Sequence, residues 1–260
     1  MDPKLINLKN ILSEMPAVLA ALSGGVDSAF LVCFAVKTLG KDKVLAVTVD
    51  SQFHLKSDLD HASFLSEKFN FNHKIINVDV LKDYEVKKNP ENRCYLCKKN
   101  IGKILKQIAL EHNIPYIVDG SNMDDDESDR PGAAALKEAD IRSPLREAGL
   151  TKKDIRQASR DMGLFIWDKP NSACLATRIP FNTEIFEKDL KNIEKAENFL
   201  KEKGFSFVRV RYLKPNAKIV ISDKDFDKFA DKNLREEILR CFRGLGFKEV
   251  TLDLAVYNVI

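Results

Sequence analysis

Six residues, Ser23-Gly-Gly-Val-Asp-Ser28, restrict this chain more than any other feature. They follow a short apolar run at residues 17–22 and lead into residues 27–39, whose apolar spacing predicts a helix ending at Gly40. A strand that passes through two glycines straight into a helix is the first turn of a βα unit. The alternation continues. Residues 44–49 predict a strand, 57–69 a helix with Ser57 as its N-cap, and 74–78 a strand. Residues 95–112 predict a longer helix and 114–118 a fourth strand that ends at Asp119-Gly120. Strands and helices in this order imply an α/β fold: a parallel sheet with helices on both faces.

The pattern then changes. Residues 121–144 carry Asp124-Asp-Asp-Glu127, Arg130-Pro-Gly132 and Ser143-Pro144 and read as loop. Residues 151–162 predict a helix with Thr151 and Asp154 as a capping box. Residues 167–182 are again irregular, and a domain boundary is expected after them: a first domain at 1–182 and a small α+β domain at 183–260. In the second, a charged helix (184–203) precedes strands at 207–212 and 218–221, helices at 223–231 and 234–245, and a strand at 248–254.

Composition narrows the function classes. Apolar residues are 44% of 260 and the net charge is +3, which excludes a disordered chain and argues against a nucleic-acid coat or membrane-surface protein. No apolar run reaches the about 18 residues that span a bilayer, and residues 1–15 lack a secretory signal's apolar core, so a cytoplasmic protein is expected. The five cysteines are Cys33, Cys94, Cys97, Cys174 and Cys241, an odd and sparse set that argues against a disulfide framework.

The 23–28 string suits a phosphate. Gly24 and Gly25 let the backbone approach an anion without a Cβ in the way, and amides at the start of a helix favour negative charge. Ser23 and Ser28 add hydroxyls. Asp27 would repel phosphate by itself and therefore argues for a bridging Mg²⁺. Neither the Walker A spacing nor the dinucleotide fingerprint is present. A plain Gly-Gly turn with a serine cap is the competing reading. Cys94 and Cys97 form a C-x-x-C at a predicted helix start, beside Arg93 and Lys98, where thiolates are favoured. Cys174 lies in Asn171-Ser-Ala-Cys174-Leu-Ala-Thr-Arg178-Ile-Pro180, with Arg178 placed to favour a thiolate or hold an anion. Three thiolates suit a zinc site with a fourth ligand or an iron–sulfur cluster with one open iron. Cys33 and Cys241 lie in apolar helix segments and read as core residues.

The 23–28 string resembles the SGGxDS signature of the PP-loop ATP pyrophosphatase superfamily, whose members cleave ATP to AMP and pyrophosphate while adenylating a substrate oxygen. By that resemblance Asp50 and Ser51 would lie by the adenosine and Gly120 by the α-phosphate. A narrower resemblance rests on Asp119-Gly-Ser-Asn122-Met-Asp-Asp125, Arg130-Pro-Gly132, Ser143-Pro-Leu-Arg-Glu-Ala-Gly149, Trp167-Asp-Lys-Pro170 and Ala173-Cys-Leu-Ala-Thr-Arg-Ile-Pro180. These strings are similar to the LarE family, ATP-dependent sulfur transferases of nickel-pincer nucleotide cofactor synthesis. The resemblance implies a nucleotide substrate, pyridinium-3,5-biscarboxylic acid mononucleotide, whose carboxylates become thiocarboxylates. It also implies a homo-oligomer. One branch of the family sacrifices the sulfur of the cysteine matching Cys174. The branch that this chain resembles has three cysteines, here Cys94, Cys97 and Cys174, holding a [4Fe–4S] cluster whose fourth iron carries sulfide; its donor stays unidentified. Arg209 and Arg211 alternate on one strand, and the family's R-V-R string implies that they clamp the substrate phosphate, with Arg178 as a further candidate. Glu197 matches an acidic family position, although so charged a helix also suits a solvated glutamate. Asp124, Asp125 and Asp126 fit either Mg²⁺ binding or a solvated acidic loop.

Two other function classes fit parts of the pattern. A tRNA-thiolating PP-loop enzyme shares the loop and sometimes three cysteines, but the mild charge and the lack of an appended RNA-binding module count against it. A non-catalytic AMP- or cluster-binding protein would not need Asp27.

Overall fold

The computed structural model describes residues 2–125, 131–170 and 172–255. Asp126, Glu127, Arg130 and Asn171, quoted above, lie outside the described residues. The chain forms two compact units, Met1–Asp79 with Asn92–Asn171, and Val80–Glu91 with Ser172–Ile260. They differ from a single cut after residue 182: residues 172–182 and the early segment 80–91 both belong with the later part of the chain. Asn89 explains this. Its amide donates to the carbonyls of Ile179 (3.3 Å) and Pro180 (2.7 Å), and its own carbonyl accepts from Asn182 N–H at 2.8 Å.

The first unit contains α1 (Pro3–Ser13), β1 (Val18–Ala21), α2 (Val26–Leu39), β2 (Val44–Asp50), α3 (Lys56–Phe69) and β3 (Asn72–Asn77). After α4 (Tyr84–Lys87), which falls in the other unit, it continues with α5 (Arg93–Glu111), β4 (Tyr116–Val118), α6 (Pro131–Glu138), α7 (Pro144–Glu147) and α8 (Lys152–Asp161). Its strands pair in the order β3-β2-β1-β4, all parallel, with Val18 in register with Val44 on one side and Tyr116 on the other.

Both faces of the sheet are covered, as expected. Val18, Ala20 and Leu22 pack with Leu8 and Leu12 of α1 and Phe30 and Leu31 of α2. Leu19, Val47 and Ile117 pack on the opposite side with Leu105 and Ile108 of α5. Burial on both faces is why β1 reads as a continuous apolar run without alternation. β1 lies between β2 and β4: the chain runs outward from β1 through β2 to β3 on one side and then crosses to β4 on the other. The crevice at the carboxyl ends of β1 and β4 is therefore the place where such sheets bind ligands.

Three local expectations need correction. Leu55, not Ser57, is the N-cap of α3, so Ser57 lies within its first turn. The 121–144 stretch is not all loop: Ala133-Ala-Ala-Leu-Lys-Glu138 has strong helix formers and builds most of α6. Residues 223–230 form a 3-10 helix. The Thr151–Asp154 capping box of α8 is present as expected.

The second unit holds α9 (Glu187–Glu202), β5 (Val208–Leu213), β6 (Asn216–Ile221), α10 (Lys232–Gly244) and β7 (Val250–Leu252). β5 and β6 are antiparallel and β6 and β7 parallel. Leu190, Ile193, Ala196, Glu197 and Leu200 form the buried stripe of α9. No helix among the described residues is long and apolar enough to cross a membrane.

Candidate active site

The turn after β1 is stitched internally. Ser23 N–H donates to Ser28 Oγ at 3.1 Å, the two hydroxyls lie 3.0 Å apart, and Ser28 Oγ–H is 3.1 Å from Gly25 C=O. Gly25 is the N-cap of α2. Gly24 has φ +75°, and a Cβ there would sit 2.1 Å from the backbone oxygen of Asp58. Only glycine meets both conditions. Gly120, just after β4, approaches the start of α2 so closely that a Cβ would lie 2.7 Å from Ser28 N. The fold thus brings Ser23, Gly24, Gly25, Asp27, Ser28 and Gly120 to one place. Buried Asp119 fixes this second turn by accepting from Ser121 Oγ and Ser143 Oγ, both at 2.6 Å.

Asp50 ends β2, the neighbour of β1 in the sheet, and Ser51 follows it. His54, three residues on, ties them to the loop: its ring nitrogens lie 2.8 Å from Val49 C=O and 3.0 Å from Ser23 C=O.

Asp27 lies in the first turn of α2. Its Oδ2 pairs with Lys152 Nζ at 3.1 Å, while its buried Oδ1 has no partner among the described residues. Burial pushes its pKa above the usual carboxylate range, against the pull of Lys152 and with help from Asp125. A buried carboxylate oxygen without a donor is costly, and a divalent cation between it and a phosphate would satisfy it. The donor chemistry fits Mg²⁺. Asp124 is used locally, accepting from Lys152 N–H at 2.7 Å, and Asp125 Oδ2 accepts from Asn122 N–H at 3.0 Å.

Several residues here had no role assigned from sequence. Lys169 Nζ donates to Gly24 C=O (2.8 Å) and Asp58 Oδ1 (2.6 Å) and lies 2.7 Å from His61 Nδ1. Arg156 in turn donates to the Trp167 and Lys169 carbonyls at 2.9 and 2.7 Å. Lys169 is in the quoted Trp167-Asp-Lys-Pro170 string, but its partner Asp58 lies 111 positions earlier, beyond any local spacing.

Cys94 and Cys97 are half-buried in the first turn of α5, one helical turn apart, in the first unit. Buried Arg93 donates from Nη2 to Cys94 Sγ at 3.8 Å. Cys174 is exposed and precedes a 3-10 turn, Leu175–Arg178, in the second unit. Among the described residues no three His, Cys, Asp or Glu side chains are gathered into a group that could hold a metal. Burial pushes the Cys33 thiol up to about 12 and raises that of Cys241, which suits their reading as packing residues.

In the second unit the structure gives Arg178 a different task from holding an outside anion. It is buried, forks onto Glu197 from Nε (2.8 Å) and Nη2 (3.0 Å), and donates from Nη1 to the carbonyls of Ala173 (2.7 Å) and Cys174 (3.2 Å). Glu197 is accordingly buried, not solvated. Arg209 and Arg211 share one face of β5; Arg209 is half-buried with its guanidinium 5.2 Å from the Phe207 ring centre, and Arg211 is exposed opposite Lys218.

The sequence model of the NAD synthase family matches residues 7–111, from α1 to the end of α5. An uncharacterized protein of Synechocystis is 35% identical over 258 residues, covering 99% of this chain and 96% of that protein. An uncharacterized protein of Methanocaldococcus jannaschii is 37% identical, covering 98% and 97%. The pyridinium-3,5-bisthiocarboxylic acid mononucleotide synthase of Lactiplantibacillus plantarum is 32% identical over 255 residues, covering 98% and 92%.

Proposed function

Because the chain belongs to the LarE family of ATP-using PP-loop proteins, we propose that it is an ATP-dependent sulfur transferase acting on pyridinium-3,5-biscarboxylic acid mononucleotide. The observation that carries the ATP half is the unpartnered Oδ1 of Asp27 beside the Gly24–Gly120 cradle. The sulfur half is supported by likeness to the L. plantarum synthase along nearly the whole chain.

In this reading ATP lies with its adenosine near Asp50 and Ser51 and its phosphates against the amides of the 23–28 loop. Asp27 would hold a Mg²⁺, which when bound would supply positive charge to the leaving pyrophosphate. A substrate carboxylate oxygen attacks the α-phosphorus, the bond from that phosphorus to the bridging oxygen breaks, and pyrophosphate leaves. The α2 amino end and Lys152 meet the charge that develops on the leaving group. A sulfur nucleophile then attacks the acyl carbon and AMP departs. Cys94, Cys97 and Cys174 are the residues proposed to hold the sulfur source, and three thiolates are a donor set that fits [4Fe–4S]. When bound, that cluster would supply an iron-held sulfide. Arg209 and Arg211 are proposed to clamp the substrate phosphate, as planar guanidiniums do well. A homo-oligomer, checked by light scattering, belongs to the same reading.

The test is anaerobic incubation of the iron- and sulfide-reconstituted protein with ATP, Mg²⁺ and the dicarboxylate mononucleotide. Pyrophosphate together with a thiocarboxylate in the mass spectrum supports the proposal. Pyrophosphate without sulfur incorporation would leave an adenylating enzyme of another kind.

A further inference from the structure

We infer that Glu197, acting through Arg178, is the positioning residue for Cys174 and sets the cysteine turn at a fixed place relative to the arginine strand. The observations lie within the second unit. The Arg178 and Glu197 side chains are 4% and 1% exposed. Arg178 points one edge at Glu197 and the other at the carbonyls of Ala173 and Cys174. The same Glu197 Oε1 that receives Arg178 Nε–H also accepts Val210 N–H at 2.9 Å. Val210 is the residue between Arg209 and Arg211. One carboxylate therefore joins the backbone of the cysteine turn to the backbone of the strand that carries both candidate phosphate ligands.

Stability alone gives little reason for this arrangement. A buried ion pair is often no better for stability than apolar residues of the same volume. Glu197 also occupies a core position of α9, flanked by Ile193 and Leu200 one turn to either side, where an aliphatic residue would pack. What the ion pair adds is direction. The guanidinium is planar with fixed N–H vectors, so a fork onto Glu197 dictates where the opposite edge, and the Cys174 carbonyl with it, must lie.

The inference rests on the sulfur-transfer reading only for its second readout. The first is the rate at which iodoacetamide labels Cys174, followed by peptide mass spectrometry, with Cys94 and Cys97 as internal references. The second is thiocarboxylate formed per pyrophosphate released. The variant is the double replacement Arg178→Met with Glu197→Leu, which keeps the buried volume apolar and leaves no unpaired charge. Its folding is checked by circular dichroism. The expected result is a labelling rate at Cys174 altered by about tenfold, with Cys94 and Cys97 unchanged, and a product ratio lower by about 100-fold, the scale of a misplacement near 1 Å. A folded double variant that labels Cys174 within about twofold of wild type, too small a change for a displaced group, overturns the inference. If the double variant does not fold, Arg178→Lys decides by the same labelling comparison, since an ammonium has no second edge to hold the Cys174 carbonyl. If wild type forms no thiocarboxylate, the sulfur-transfer reading fails while the labelling result still decides the role of Glu197.

Discussion

Lys152 holds one oxygen of Asp27 at 3.1 Å and leaves the other buried without a donor among the described residues. This half-satisfied carboxylate gives the first prediction. Burial raises its folded pKa above the ordinary carboxylate value of 3.8. The folded protein therefore keeps this proton to higher pH than the unfolded chain, and stability is lost as pH rises through the folded pKa. Asp27→Asn has no such loss. It should melt higher than wild type at pH 7, with the gap closing below about pH 4, while ATP-dependent pyrophosphate release falls by about 100-fold or more. A variant that melts lower at pH 7 and retains pyrophosphate release would refute both parts.

Gly24→Ala and Gly120→Ala should each abolish binding of a fluorescent ATP analogue, measured by anisotropy. The first meets Asp58 C=O at 2.1 Å in a positive-φ conformation, and the second meets the start of α2 at 2.7 Å. Gly25→Ala, whose Cβ would meet only Ser23 Oγ at 3.4 Å with ordinary φ, should bind the analogue more tightly than either. Equal affinity of all three would show that the close approaches do not shape the phosphate cradle.

Lys169→Met removes the cation from a pair whose side chains are 15% and 7% exposed. Taking the ammonium away from this largely buried carboxylate should cost about 3 kcal/mol in urea unfolding. The double replacement with Asp58→Leu should regain most of that loss but not the ATP affinity, because Gly24 C=O still lacks its donor. Recovery of both would reduce Lys169 to packing.

Asp154 is held down to about 2 from 3.8, first by Lys4 and then by Thr151. A depressed carboxylate stabilises the fold above its unfolded pKa, and that contribution fades as pH falls from 3.8 towards 2. Acid unfolding of Asp154→Asn followed by circular dichroism should be flatter in that window. Thr151→Ala should cost about 1 kcal/mol at pH 7. An unchanged acid limb in Asp154→Asn would remove the capping box from the account.

Cys97→Ala should lower iron uptake on anaerobic reconstitution and leave ATP-analogue binding intact. Cys33→Ser, at a thiol whose burial holds it protonated, should leave iron uptake unchanged. Iron content unaffected in Cys97→Ala would sink the cysteine assignment.

What the sequence displayed depended on range. The 23–28 loop was legible because its demands are local: a positive φ, two missing Cβ atoms and a helix start. The α8 capping box was legible for the same reason. Lys169 was not, because Asp58 and Gly24 meet it only through the fold. The Arg178–Glu197 pair was not legible either, because a cation four positions after a cysteine suggests an anion and the charge of α9 suggests a solvated helix. The apolar stripe of α9 does include position 197 when Ile193 and Leu200 are marked, so that burial could have been read. The 3-10 geometry at 223–230 had no such signal.

The stitching of residues 80–91 onto the 179–185 stretch has a consequence for how the chain is made. Asn89 meets Ile179 and Pro180 across 90 and 91 positions of sequence. On the ribosome the earlier segment emerges long before its partners are synthesised, and β1 likewise waits for β4 to complete its sheet. Contacts of such separation slow folding, so Asn89 leaves the exit tunnel long before the rest of the second unit can recruit it.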